Sequence, residues 1–258
     1  MPRETTNATV PLSDPRFDEL GAPVEVRRHP KARRLTLRVS RTRRAVVVTL
    51  PTQCDLVEAG SFVHRHIDWV RERLGNIPEP VPFQNKICMP LRGEVHRVVF
   101  LGEKTTPPVT RVEHLSPTGT DVGASYPEIH VGGCHEFAPR RMRDWLFSEA
   151  KSDLDACVVF HAKRLGVRAK RLAIRDQTSR WGSCSSNGSL SFSWRLIMAP
   201  PFVLEYVAAH EVAHLREMNH GPNFWALVQQ TMPRMEEAKT WLQVYGMDLH
   251  RYGVDSVA

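Results

Sequence analysis

Alternating apolar and polar positions predict strands near the amino terminus of the chain. Within residues 24–50, Leu35, Leu37 and Val39 alternate with polar residues, a pattern typical of a strand with one buried face. We predict two or three strands in this stretch, paired antiparallel. After them, Asp55 is a suitable cap for a helix over residues 55–74, in which apolar side chains recur on one face.

A second helix and a hairpin are predicted later in the chain. Apolar side chains recur at helical spacing through residues 137–165, and Gly166 is placed to end that helix. A short strand is predicted over residues 171–176. Asn187-Gly188 then predicts the turn of a hairpin over residues 181–197. After this turn an apolar face alternates with a small polar one that comprises Ser189, Ser191, Ser193 and Arg195.

These elements suggest three regions. Residues 1–22 are polar and are expected to be a disordered tail, and residues 23–133 form a β-rich region with one helix. That region includes a variable loop near residues 105–127, which are rich in Pro, Gly, Ser and Thr. Residues 134–258 carry the candidate chemistry and are expected to form a separate domain.

Composition narrows the class of protein. The chain has 258 residues, of which 41% are hydrophobic and 24% charged, an ordinary globular composition. Its longest nearly apolar stretch, residues 196–209, is shorter than the roughly 20 apolar residues of a membrane span. The first twenty residues do not resemble a signal peptide, so we expect a cytoplasmic protein with no membrane partner. Five scattered cysteines do not suggest a disulfide framework.

The segment His210-Glu211-Val212-Ala213-His214 predicts a metal site. Residues four apart lie on one face of a helix, so both imidazoles can reach one cation. Glu211 can then act as general base on a water held by that cation, as in zinc-dependent hydrolases of the zincin type. Zinc lowers the pKa of such a water to about 7.

The third metal ligand is less directly predicted. His220 follows six residues after His214, and Asn219 can adopt a left-handed conformation that ends the helix and turns the chain. We favour His220 for this reason. Glu236 or Glu237, on a downstream helix, is the alternative.

The basic residues of the chain indicate that an anionic partner is possible. The net charge is +7, and nine Lys or Arg residues with no acid lie between residues 26 and 54. Such a run can hold phosphates, although it also fits solvated strand faces. Arg180 and Arg195 flank the predicted hairpin and could bind an oxyanion or a substrate carboxylate, or be structural.

Three segments carry a resemblance to a known family. SRWGSCSS, LSFSWRLIMAPP and HEVAHLREMNHGPNFW, within residues 179–225, resemble the YgjP-like metallopeptidases, which are related to SprT-type zinc proteases. The resemblance implies one Zn²⁺ per chain at His210, His214 and His220, and Glu211 as general base. It also implies that the strand over residues 190–197 is a sheet edge beside the active-site helix. The ligand spacing also equals that of metzincins, but Glu217 stands where those proteins have glycine.

The expected fold is therefore α+β. A zincin-like catalytic domain, with its active-site helix beside a β-sheet edge, follows an N-terminal antiparallel β segment and a helix. The expected function is peptide-bond hydrolysis, with a peptide pairing to the strand edge near Ser191 and Ser193. The WGSC segment, residues 181–184, is expected to be a structural turn. The alternatives are a zinc-dependent hydrolase of nucleotides or other phosphoanhydrides, and a nucleic-acid-associated protease or binding protein.

Overall fold

The structure, a computed structural model, describes residues 9–12, 14–40, 44–103, 110–113 and 126–254. Contacts between Cα atoms group the chain into two units, Met1–Glu79 and Pro80–Ser256, which are described separately. This boundary differs from the one expected after residue 133. Strands that precede residue 133 share a hydrophobic core with the long helix that follows them, so they belong to the second unit.

A four-stranded sheet forms the framework of the amino-terminal unit. Its strands are β1 (Thr9–Pro11), β2 (Val24–Arg28), β3 (Thr36–Ser40) and β4 (Ala45–Leu50), in the order β1-β2-β4-β3. β3 and β4 are antiparallel, as predicted, but β2 and β4 are parallel. The antiparallel prediction is wrong for that pair. β4 is almost wholly buried, and a continuous apolar run does not indicate the direction of a neighbouring strand.

Part of the predicted disordered tail is ordered. β1 pairs with β2, residues Pro15–Leu20 form a 3-10 helix, and Phe17 is buried in the core of this unit. Elements this short leave no periodic pattern in the sequence, so composition alone was misleading here. Residues 1–8 and 13 lie outside the described residues.

Two helices replace the single helix predicted over residues 55–74. They are α1 (Leu56–Arg65) and α2 (Ile67–Gly75), separated by His66 at φ −115° and ψ 20°. No proline or glycine marks this break, so periodicity could not reveal it. Asp55 caps α1 as predicted, because its carboxylate accepts a hydrogen bond from the Glu58 amide at 2.6 Å.

A second four-stranded sheet begins the carboxy-terminal unit. Its strands are β5 (Cys88–Leu91), β6 (Glu94–Gly102), β7 (Thr110–Glu113) and β8 (Glu128–Gly132), in the order β5-β6-β8-β7. β7 lies within the predicted variable loop and pairs with β8. Residues 105–109 and 114–125 of that loop lie outside the described residues.

The predicted long helix is confirmed as α3 (Ala138–Leu165). It ends at Gly166, whose φ of +64° is the left-handed conformation expected of a glycine that terminates a helix. A stripe along α3 packs in the main core of this unit and comprises Met142, Leu146, Ala150, Leu154 and Val158.

A three-stranded sheet follows, and it corrects one expectation about the site. Its strands are β9 (Arg171–Arg175), β10 (Gly182–Cys184) and β11 (Ser189–Ser193), in the order β10-β11-β9. The strand expected at the edge, β11, is central, antiparallel to β10 and parallel to β9. It is also shorter than predicted, because Trp194–Met198 form a 3-10 helix. All five residues of this helix are buried, so its burial does not alternate as that of a strand would.

Three helices complete this unit: α4 (Pro201–Ala213), α5 (Pro222–Thr231) and α6 (Met235–Tyr245). α4 packs against α3, β10 and α6, so the helix that carries two of the candidate metal ligands is a central element of this unit. In the part of the chain that the structure describes, no helix combines the length and the apolar character needed to cross a membrane.

Candidate metal centre

The candidate ligands His210 and His214 lie at the carboxyl end of α4. This helix is apolar around most of its circumference, and its other side chains of the last two turns are buried. Prolines open it, where the free amides of the first turn need no helical partner. Burial fixes the helix, and the four-residue spacing directs both imidazoles to one side.

The chain reverses directly after α4. The amides of Arg216 and Glu217 both donate to the Ala213 carbonyl at 3.0 Å, and the Gly221 amide donates to the Asn219 carbonyl at 2.7 Å. The predicted left-handed conformation of Asn219 is wrong, because this residue is not among the described residues with positive φ. Hydrogen-bonded turns therefore bring His220 back toward α4.

The three histidines converge. One ring nitrogen from each of His210, His214 and His220 lies within 4.8 Å of the others. The Nε2 atoms of His210 and His220 are 3.0 Å apart. Phe224 of α5 packs against all three rings, with centroid distances of 4.4 to 4.8 Å. The buried Phe224 side chain thus supports all three rings, while His220 remains exposed to solvent.

The separation of the His210 and His220 Nε2 atoms suits two ligands of one tetrahedral divalent ion. Nitrogens bound to one zinc ion at about 2.05 Å lie about 3.3 Å apart, close to the observed separation of the two Nε2 atoms. Nδ1 of His214 lies 3.1 Å from the Glu217 carbonyl oxygen, which can accept a hydrogen bond from Nδ1–H. In this tautomer the lone pair of Nε2 is free to bind a metal ion. Glu217 therefore orients His214 through its backbone carbonyl, a role that the identity of its side chain could not have indicated.

Burial also favours the ligating protonation state. Burial, with smaller effects from His214, His220 and Lys239, lowers the pKa of His210 to about 4. Burial likewise lowers the pKa of His214. Both rings are therefore neutral near pH 7, which is the form that binds a metal ion.

Glu211 is buried next to this cluster, at 5% exposure. Burial raises the pKa of its carboxyl to about 7, and the charge of Arg180 opposes the shift. A carboxyl with a pKa near 7 both accepts and releases protons at neutral pH, as a general base that later acts as an acid requires.

Gly182 of β10 lies directly against the Glu211 side chain. A Cβ atom at residue 182 would be 2.6 Å from both Cγ and Oε1 of Glu211, closer than real contacts allow. Only glycine leaves room for the carboxylate here. Gly182 was not among the predicted site residues, although its place in the WGSC segment was a signal.

We expect Gly182→Ala to displace the Glu211 carboxylate and lower kcat/KM by about 100-fold, since misplacing a catalytic group by about 1 Å has such effects. Zinc content should not change. Gly75→Ala is a matched control, because a Cβ atom there meets nothing within 4 Å. Unchanged turnover in Gly182→Ala, measured in the peptidase assay proposed below, would contradict this role.

The rest of the WGSC segment has structural contacts. Residues Gly182–Cys184 form strand β10 and not the expected turn. The Trp181 ring lies 4.8 Å from the His250 ring and packs on Gly246. Burial and the nearby charge of Glu211 raise the pKa of Cys184 to about 11, so its thiol is protonated at neutral pH and is a poor nucleophile.

The four candidate substrate-binding residues separate into two pairs. Arg180 and Ser191 line an open pocket of about 510 Å³ on the β9-β11-β10 sheet. Ser193 is fully buried, and its hydroxyl accepts a bond from the Arg195 amide at 3.4 Å. Arg195 is also buried, pairs with Asp176, and lies over the Trp194 ring. Ser193 and Arg195 therefore have structural contacts and do not line the pocket.

The alternative third ligands lie on α6 and are engaged elsewhere. Glu236 accepts hydrogen bonds from Lys239, and Glu237 forms a two-bond pair with Arg234 at 2.8 and 2.7 Å. Among the described residues, the grouping of possible ligand atoms around α4 consists of His210, His214 and His220 and includes neither carboxylate.

Comparison with known protein families identifies the class of protein to which this chain belongs. A sequence profile of a metallopeptidase domain, described as YgjP-like, matches residues 33–245. The chain belongs to this YgjP-like metallopeptidase family. The match spans most of the chain and includes the entire segment that carries the three histidines and Glu211.

One solved structure shows a weak likeness. It is the metallopeptidase zymogen abylysin of Pyrococcus abyssi, at 20% identity and a TM-score of 0.34, covering 39% of this chain and 99% of that one. At this TM-score the likeness supports no structural argument. No curated protein matches the chain significantly.

Proposed function

We propose that this metallopeptidase hydrolyses peptide bonds with one zinc ion held by His210, His214 and His220. The observation that supports this most directly is the convergence of three imidazole nitrogens within 4.8 Å, beside a buried carboxyl group. Three nitrogen donors suit zinc, and a site with three protein ligands leaves a fourth position for reaction.

Glu211 has the catalytic role in this proposal. Bound zinc supplies Lewis acidity and a more acidic water. The Glu211 carboxylate takes a proton from the attacking water and passes it to the leaving amine. Gly182 keeps the space that this carboxylate needs, and Glu217 orients His214 through its backbone carbonyl.

The substrate is proposed to bind along β10. In the described part of the chain β10 is an outer strand of its sheet and lies beside α4. An extended peptide can pair with such an edge through backbone hydrogen bonds, which places its carbonyl groups next to Glu211. Strand addition at β10 replaces the pairing expected at residues 190–197, because β11 is central.

The first test is metal analysis of the purified protein together with two activity assays. We expect about one zinc per chain, and hydrolysis of an unstructured protein that a chelator abolishes and added zinc restores. Phosphate release from nucleoside triphosphates is measured beside it. Chelator-sensitive phosphate release without peptide hydrolysis would overturn the proposal and favour the phosphoanhydride alternative.

A further inference from the structure

The open pocket on the three-stranded sheet is rich in arginine. We call it the arginine groove; its lining includes Arg171, Arg175, Arg180, Ser183, Ser189 and Ser191. Leu190 and Phe192 of β11 point into the core, so the alternating serines face the opposite side. Ser191 pairs with Ala173 and Ser183, whose side chains therefore share this outer face. The groove is a small-residue floor beneath long basic side chains.

The charges of the groove are not neutralised within it. Arg171, Arg175 and Arg180 are exposed, and within the described residues none of them forms an ion pair. The described lining contains no Asp or Glu. The nearby Asp176 carboxylate is already paired with buried Arg195. With no acidic side chain in the described lining, three guanidinium groups around one concavity create a positive potential that favours an anionic ligand, although Glu211 lies near Arg180.

The position of the groove relates this potential to the proposed reaction. Ser183 belongs to β10, the outer strand beside α4, and Arg180 is close enough to affect the pKa of Glu211. Successive side chains of a strand point to opposite faces. A peptide paired with β10 would therefore place every second side chain on the face of Ser183, toward the groove.

The lining favours a peptide carboxylate over a nucleic acid. No aromatic side chain is among the described lining residues, so a stacking platform for bases is missing there. Guanidinium groups bind carboxylates and phosphates alike through two parallel hydrogen bonds. The preference for a peptide therefore rests on the missing aromatic side chains of the described lining and on the small floor, which leaves room for an extended chain.

We propose that the arginine groove selects substrates with aspartate or glutamate side chains flanking the cleaved bond. This specificity rests on the proposed peptidase function, since it assigns the substrate class of the same site. The carboxylates bind Arg171, Arg175 and Arg180, while the backbone pairs with β10.

The test compares three peptides with one core sequence and flanking Glu, Gln or Lys residues. We expect kcat/KM for the Glu peptide to exceed that for the Gln peptide by about 10-fold at low salt, and the difference to shrink at high salt because exposed pairs are screened. The double variant Arg171→Gln/Arg175→Gln should lose the preference. The control Arg97→Gln/Arg140→Gln removes the same charge from exposed residues outside the groove and should keep it.

Binding measurements separate failure of this proposal from failure of the peptidase proposal. Fluorescence anisotropy of labelled peptides on Glu211→Gln protein reports the groove whether or not peptides are cleaved. Tighter binding of the Glu peptide that depends on Arg171 and Arg175 supports the groove. Equal binding of the three peptides at low salt overturns it, as does an oligonucleotide that competes better than the Glu peptide through the same two arginines.

Discussion

Glu211→Gln should retain about one zinc per chain and lose peptide hydrolysis. General-base catalysis contributes roughly 10²–10⁴-fold, so kcat/KM should fall by that factor. The amide matches the carboxyl in size and fits the space beside Gly182. Burial already raises the pKa of Glu211 to about 7, so a neutral amide suits this environment and the fold should persist. Zinc is measured by elemental analysis and stability by thermal unfolding.

Glu205→Gln is the matched control for this experiment. Glu205 lies on the same helix α4, is half-exposed, and is not part of the histidine cluster. The control should keep both zinc and turnover. Wild-type turnover in a zinc-loaded Glu211→Gln protein would exclude Glu211 as the base.

The sequence predicted helix α4 and the histidine cluster better than the surrounding sheets. Helix α4 could be anticipated because its proline start, apolar face and His210–His214 spacing are local features. The long helix α3 was equally visible, since its stripe ends at Gly166. Strand order is different: whether β11 is central or outer depends on β9 and β10, and pairing between separate segments leaves no local pattern.

The same distinction applies to single residues. The place of Arg195 in the hairpin left both a substrate-binding and a structural role open, because its burial against Trp194 and its pairing with Asp176 depend on tertiary packing. Gly182 was overlooked because the residue that it contacts, Glu211, is distant in sequence. Local chemistry predicts which residues can react, whereas packing decides which of them meet.

His220→Ala should lose most of the bound zinc while the fold persists. His220 is exposed, so its removal leaves no buried cavity, and Phe224 still packs on His210 and His214. Loss of even an outer partner of a metal ligand weakens metal binding by about 10- to 100-fold, so loss of a direct ligand should cost at least about 100-fold. Competition with a chelator of known affinity measures this change.

Glu236→Gln and Glu237→Gln are the controls that make the His220→Ala result decisive. Both carboxylates are paired with cations on or beside α6, and neither belongs to the cluster of possible ligand atoms, so both variants should bind zinc like the wild type. Retained zinc in His220→Ala, together with zinc loss in one of these two variants, would assign the third ligand to that carboxylate. Hydrolysis should follow zinc content in all three variants, because Glu211 and β10 are unchanged.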